Sequence, residues 1–183
     1  MAGDSLGDKM IGIRAERPED IGEIRKVIEE AFTQAFGQAP ETDLVDRLRE
    51  NCPGLLSIVA VNGDIVVGHI LFSQVKIEGD KLIKGMGLAP MAVLPKFQLQ
   101  GIGTKLVQAG IEMLKSNGCP FVIVLGHPDY YPRFGFEPAS HEGIRCQWEG
   151  VPDEAFMILI LDEKAMEGIS GVARYRSEFD EAM

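Results

Sequence analysis

Apolar residues recur at Ile21, Ile24, Val27, Ile28, Ala31 and Phe32, while Glu23, Arg25, Lys26, Glu29 and Glu30 fall between them. Steps of three and four place the first set on one face of a helix and the second set in water. Pro18-Glu19-Asp20 supplies a proline start with acids in the first turn, and Gly37 with Pro40 ends the pattern, so a helix is predicted to about residue 34. A second helix, over about 42–51, turns Leu44, Val45 and Leu48 inward and stops before Pro53. Residues 10–15 read as a short strand ahead of both.

The period then changes. Residues 55–61 and 65–75 are β-rich, and Asn62-Gly63-Asp64 between them is a hairpin signal because these residues tolerate positive φ. Glu78-Gly79-Asp80 makes a second turn into an apolar run at 82–94. Pro90 interrupts that run, and a proline that cannot donate to a ladder implies a bulge or splay there, or else an edge position. After Pro95 the apolar residues Ile102, Leu106, Ala109, Gly110 and Met113 return to helical spacing, and Lys115-Ser116-Asn117-Gly118 closes the helix. Phe121–Leu125 is a fully apolar strand, parallel to its predecessor if the helix crosses over. A closing strand at 156–161 follows a long irregular stretch at 138–153. Residues 168–175 suggest a turn and short strand that packs on the sheet or reaches a second subunit. The whole is an α/β chain of one domain, 1–183, with a core at about 11–161 and a C-terminal extension at 162–183.

Between strand and helix lies Pro95-Lys96-Phe97-Gln98-Leu99-Gln100-Gly101-Ile102-Gly103-Thr104-Lys105. Without Cβ atoms, Gly101 and Gly103 let the first N–H groups of the helix approach an anion. Those donors lack intrahelical acceptors and the helix dipole adds positive charge, so a di- or pyrophosphate fits; an ordinary strand-to-helix turn has the same outline. A dinucleotide fold is disfavoured. Two helices and a β-meander come first, and Leu106 stands where a third glycine is needed.

Composition narrows the class. With 183 residues, 45% of them hydrophobic, the chain has material for one core. Cys52, Cys119 and Cys146 are three and widely spaced, which suggests neither a disulfide framework nor a metal knuckle but reduced thiols in the cytoplasm. Residues 1–9 lack the features of a signal peptide, and no apolar run approaches membrane length. A net charge of −10 disfavours nucleic acid as a partner and mildly favours a cationic acceptor such as an amine, or else serves only solubility. It leaves room for a phosphorylated ligand held locally by amides and by Lys96, Lys105 or Arg133.

The segment Gln98-Leu99-Gln100-Gly101-Ile102-Gly103 resembles the Gln/Arg-x-x-Gly-x-Gly/Ala acyl-CoA motif of the GNAT superfamily of N-acetyltransferases, and Tyr131-Pro132-Arg133-Phe134-Gly135-Phe136 is similar to its Tyr-x-x-x-Gly-Phe segment. The resemblance spans about 11–161. It implies a mixed, mostly antiparallel twisted sheet with helices on both faces and a splayed central pair of parallel strands. It further implies acetyl-CoA as acyl donor, with its pyrophosphate on the backbone of Gln98, Leu99, Gln100, Gly101, Ile102, Gly103 and Thr104, the Thr104 hydroxyl adding a bond. The pantetheine arm would follow Met91, Ala92 and Val93. No metal is implied.

The implied reaction is direct attack of an amine, from a small molecule or a protein, on the thioester in a ternary complex. Tyr131 is the implied general acid, with Tyr130 as the adjacent competitor and Pro132 biasing Tyr131 towards extended backbone. A free phenol with pKa about 10 is protonated at neutral pH without tuning. No carboxylate occurs over residues 85–94, where several relatives place the base; His127, Asp129, Glu30 and His69 are candidates and none is singled out. Acceptor choice is expected to rest on residues 32–51 and on 140–153, where Trp148 either lines a pocket or covers the core. A homodimer is compatible with the resemblance. A transferase for another acyl donor, or a non-catalytic acyl-CoA-binding regulatory module, remains the alternative.

Overall fold

A computed structural model describes residues 10–182. The stretch 1–9, where leader features were sought, lies outside the described residues. In chain order the elements are β1 (Ile11–Ala15), α1 (Ile21–Phe36), α2 (Glu41–Asn51), β2 (Leu56–Asn62), β3 (Ile65–Glu78), β4 (Leu82–Val93), α3 (Ile102–Ser116), β5 (Phe121–Leu125), β6 (Glu137–Pro138), β7 (Ile144–Cys146), β8 (Phe156–Ile160) and β9 (Gly171–Arg174). The strands form one sheet in the order β1-β2-β3-β4-β5-β8-β6, with β9 pairing β3 and β7. Pairing is antiparallel except between β4 and β5 and between β7 and β9. Among the described residues no helix is long and apolar enough to cross a membrane.

The first helix is longer than its polar pattern suggests. It runs to Phe36 and ends on Gly37, whose φ of 79° lets its N–H return to the Thr33 carbonyl at 2.8 Å. Its start is set by Asp20, buried at 5% exposure, which accepts from both Arg14 terminal nitrogens and from the Arg17 backbone N–H at 2.7 Å. The stretch 138–153 is less irregular than expected because β7 lies within it. Its alternation is too short to read from three residues, and only pairing with β9, far along the chain, makes it a strand. Strand β3 runs past Val75 to Glu78, where Lys76, Ile77 and Glu78 pair with β4 on one edge and with β9 on the other. The tail therefore packs on the sheet.

Helices α1 and α3 sandwich the middle of the sheet. Where α3 crosses β3 the approach is close: a Cβ on Gly68 would meet Ile102 and Leu106 at 3.1 Å, and one on Gly110 would overlap the Phe72 ring. Glycine inside a helix costs about 1 kcal/mol relative to alanine, so Gly110 is retained here for space. The main core runs from Ile24, Val27 and Ile28 of α1 through Ile58, Ile70 and Phe72 of the sheet to Leu106 and Val107 of α3.

Helix α2 is fixed by a polar cluster at the base of β1. The Glu16 carboxylate accepts from Arg49 Nε at 3.0 Å and NH2 at 2.9 Å, and from the Ser57 hydroxyl. Ser57 has one proton and gives it to Glu16, so at 2.8 Å from His69 Nε2 its oxygen must accept. His69 is fully buried, and burial holds its pKa below the ordinary value; it is therefore the neutral Nε2–H tautomer, with Nδ1 unpartnered. Burial alone would raise the Glu16 carboxyl, but the surrounding His69, Arg49 and Ser57 outweigh it and bring the pKa down to about 2.

Two outcomes follow from this packing. Gly110→Ala should lower stability by about 1–3 kcal/mol despite its better helix propensity, because Phe72 must move; urea unfolding measures it. A carboxyl whose pKa is depressed on folding stabilises above its unfolded pKa of about 4.3, and that contribution fades as pH falls towards about 2. The stability advantage of wild type over Glu16→Gln should thus be full near neutrality and narrow steadily across that acidic window in pH-dependent urea titrations.

Candidate functional site

The parallel ladder between β4 and β5 is short. It pairs Met86 with Val122, Gly87 with Ile123 and Leu88 with Val124, then ends. On its other edge β4 stays joined to β3, but between the pairs Phe72↔Leu88 and Ile70↔Met91 the one residue Leu71 faces two, Ala89 and Pro90. That is a bulge with the extra residue in β4, and bulges bend and twist the strand that carries them. The splay expected from Pro90 is the observed arrangement, whereas the edge position is not. Past Leu88 the β5-facing edge of β4 has no strand partner among the described residues, and a cavity of about 470 Å³ opens there. Leu88, Ala89, Pro90, Met91, Ala92 and Val93 form one wall of it, and Leu125, Gly126 and His127 at the end of β5 form another.

The glycine turn lies at the mouth of this split. The first bond of α3 closes from Lys105 N–H to the Gly101 carbonyl at 3.1 Å, so the N–H groups of Ile102, Gly103 and Thr104 precede the helical ladder. The turn is braced from within: Gln98 Nε2 donates to the Val93 carbonyl at 3.0 Å and Gln100 Nε2 to the Lys96 carbonyl at 3.2 Å. The two glycines serve different ends. Gly101 has φ of 81° with nothing near its missing Cβ, so conformation requires it. Gly103 makes space, since a Cβ there would stand 3.1 Å from the Tyr130 hydroxyl and 3.6 Å from the Met91 methyl. Leu99, fully exposed, also has positive φ, at 60°, a conformation that costs a non-glycine residue about 1–2 kcal/mol.

The two tyrosines divide. Tyr130 leans over the start of α3, its hydroxyl 3.4 Å from Thr104 Oγ1 and its ring under the Arg133 guanidinium at 4.4 Å. Thr104 thus has a protein neighbour for its hydroxyl. Tyr131 lines the cavity at 7% exposure, in edge contact with Phe136 at 5.7 Å between ring centroids. A Cβ on Gly126 would overlap the Tyr131 ring, so that glycine makes the slot in which the ring sits. The extended backbone that Pro132 favours at Tyr131 does not form. Tyr131 instead opens a 3-10 turn, Tyr131–Phe134, because the His127 carbonyl takes the Tyr130 and Tyr131 N–H groups at 3.1 and 3.4 Å. Burial, with a smaller contribution from Tyr130, pushes the Tyr131 phenol above its usual range and keeps it protonated.

Of the residues considered as bases, His127 lines the cavity and is exposed. Asp129 and Glu30 are exposed and stand outside its lining, and His69 is sealed beside Glu16 under α2. One lining carboxylate escaped the sequence reading. Glu41, at the first position of α2, faces the cavity with Phe32 and Phe36 of α1, and its position in the first turn of the helix was the available signal. Trp148 both lines the cavity and stacks on Tyr175, 4.8 Å between centroids.

The model of the "Acetyltransferase (GNAT) family" matches residues 21–136. "Uncharacterized N-acetyltransferase YhbS" of Escherichia coli K12 is 36% identical over 169 residues, 92% of this chain and 98% of the relative. The crystal structure of YhbS from Escherichia coli in complex with CoA superposes with a TM-score of 0.81 at 34% identity, covering 93% of this chain and 92% of that one. A GNAT family acetyltransferase from Brucella melitensis, solved with acetyl-CoA, superposes at 0.75 with 35% identity, covering 94% and 99%.

Proposed function

This chain belongs to the GNAT acetyltransferase family, and from that premise we propose that it carries an acetyl group from acetyl-CoA to an amine, with the donor lying in the split between β4 and β5. The observation that carries this reading is the meeting of two sets of unpaired backbone groups. The amides that open α3 and the free edge of β4 adjoin the same cavity, joined by Met91, which lines it and touches the position of Gly103.

In this reading the amides of residues 99–104 hold the pyrophosphate, favoured by the helix dipole, the Gln98 N–H expected among them being given to the Pro95 carbonyl instead, and the free edge at Met91, Ala92 and Val93 receives the amide-bearing arm. Bound there, acetyl-CoA supplies the activated carbonyl. Bulge and split admit such an arm, since a closed ladder would leave no donor or acceptor for it. Tyr131 is assigned as the acid: its phenol, kept protonated by burial, lies at the end of β5 and gives its proton to the departing sulfur. The attacking amine loses a proton as the new amide bond forms, so the protons balance over a turnover. The three cysteines are unpaired thiols, which supports a cytoplasmic setting.

Gly101→Glu places a like charge among the amides and strains the turn at its positive φ. It should abolish acetyl-CoA and CoA binding in calorimetry while circular dichroism stays native; undiminished binding would remove the turn from the donor site. Tyr131→Phe should lower acetyl transfer by roughly 10²–10⁴-fold with CoA affinity within about threefold. Full activity in that variant would leave the phenol a packing group.

A further inference from the structure

The donor half of the cavity is built by β4, β5 and the turn before α3. Its opposite wall comes from α1, α2 and the segment after β6, and it is aromatic: Phe32, Phe36, Trp148, Tyr175 and Phe179. Trp148 and Tyr175 lie 4.8 Å apart between centroids, and Tyr175 and Phe179 lie 5.2 Å apart in edge contact. Trp148, Tyr175 and Phe179 all fall beyond residues 21–136, the stretch matched by the family. Three of the five rings thus come from the chain's C-terminal part, while Phe32 and Phe36 come from α1 within the matched stretch.

One carboxylate is set into it. Among the described residues Glu41 is the only acidic one in the lining, its Oε2 is buried without a hydrogen-bond partner, and no ion pair includes it. Of the other acids of α2, Asp43 and Asp46 face Arg25, Asp46 also faces Arg49, and Glu50 is exposed and outside the lining. Burial pushes the Glu41 carboxyl above its usual range, its own backbone N–H pulling the other way. The Tyr175 hydroxyl in the same wall is also buried and unpartnered. A carboxylate left without a partner in a partly desolvated site is relieved by an incoming cation, and aromatic faces attract the same cation.

We infer that Glu41 determines acceptor specificity, and that the acceptor is a small primary amine with an aromatic body, held as its ammonium by Glu41 with the body against the Trp148–Tyr175–Phe179 wall. The inference rests on the acetyltransferase reading above. A cavity of about 470 Å³ that also takes the reactive end of the donor leaves room for a small molecule of this kind. The net charge of −10 draws cations towards it. Each turnover forms one C–N bond, breaks the C–S bond and releases to water the proton with which the amine arrived.

The test compares phenethylamine, spermidine, L-glutamate and a short peptide amino terminus as acceptors, in wild type and Glu41→Gln. Phenethylamine should be the preferred acceptor. Glu41→Gln should raise its KM about tenfold or more, with kcat within about threefold, and weaken its binding to the CoA-saturated protein in calorimetry by the same factor. Acetyl-CoA affinity and the urea midpoint should not move. Trp148→Leu, read in the same way, should raise KM for phenethylamine and leave that for propylamine unchanged, which keeps the test independent of how the first variant folds. An unchanged KM and affinity in Glu41→Gln, or preference for spermidine, L-glutamate or the peptide, overturns the inference while the acetyltransferase reading stands. Failure of wild type to bind acetyl-CoA overturns both.

Discussion

The parting of β4 from β5 after Leu88 is the constraint on which the rest of the site depends. Backbone amides and carbonyls in a sheet interior are normally consumed by the neighbouring strand. Here the bulge at Ala89 and Pro90 bends β4 while β3 continues to hold its other edge, so the strand is anchored on one side and open on the other. A sheet can carry such an opening only if its surroundings keep the strands from closing, and the surroundings do so. Tyr131, seated in the slot of Gly126, stands at the end of β5, and Met91 reaches the start of α3.

Glycines and rings set the remaining geometry by pairs. Gly110 admits Phe72 and fixes α3 against β3; with α3 fixed, its first amides are held beside the open edge of β4. Gly103 admits Tyr130, and Gly126 admits Tyr131, so two adjacent tyrosines are sent to different places, one over the helix start and one into the cavity. On the other side, the Glu16 cluster ties α2 to β1, β2 and β3 through Arg49, Ser57 and His69. That tie matters to the site because Glu41 and Leu44 of the same helix line the cavity. A partly buried ion pair of this kind is weak evidence for net stability, but it does specify where α2 lies.

What could be read from the sequence follows from how local each signal is. The amphipathic faces of α1, α2 and α3, the Asn62-Gly63-Asp64 hairpin and the glycine turn are encoded within a few residues, and the structure has all of them. The proline in β4 was informative for the same reason. Strand β7 was not legible, since it depends on β9, which pairs from more than 25 residues away in sequence. The separate duties of Gly101 and Gly103, the left-handed backbone of Leu99 and the slot at Gly126 are likewise set by tertiary neighbours. Trp148 was offered as a pocket residue, but Glu41 and the rings of Tyr175 and Phe179 escaped, because a carboxylate at the start of a helix is unremarkable until the C-terminal segment is folded across from it.

Amide hydrogen exchange, followed residue by residue with and without acetyl-CoA, tests the central claim most directly. The account predicts slowed exchange at two separated places at once: the amides at 99–104 that open α3, and those of Met91, Ala92 and Val93 on the β4 edge and its flank. Slowing confined to other parts of the chain, or no change at saturating donor, would contradict the proposal that the split between β4 and β5 is where the donor lies.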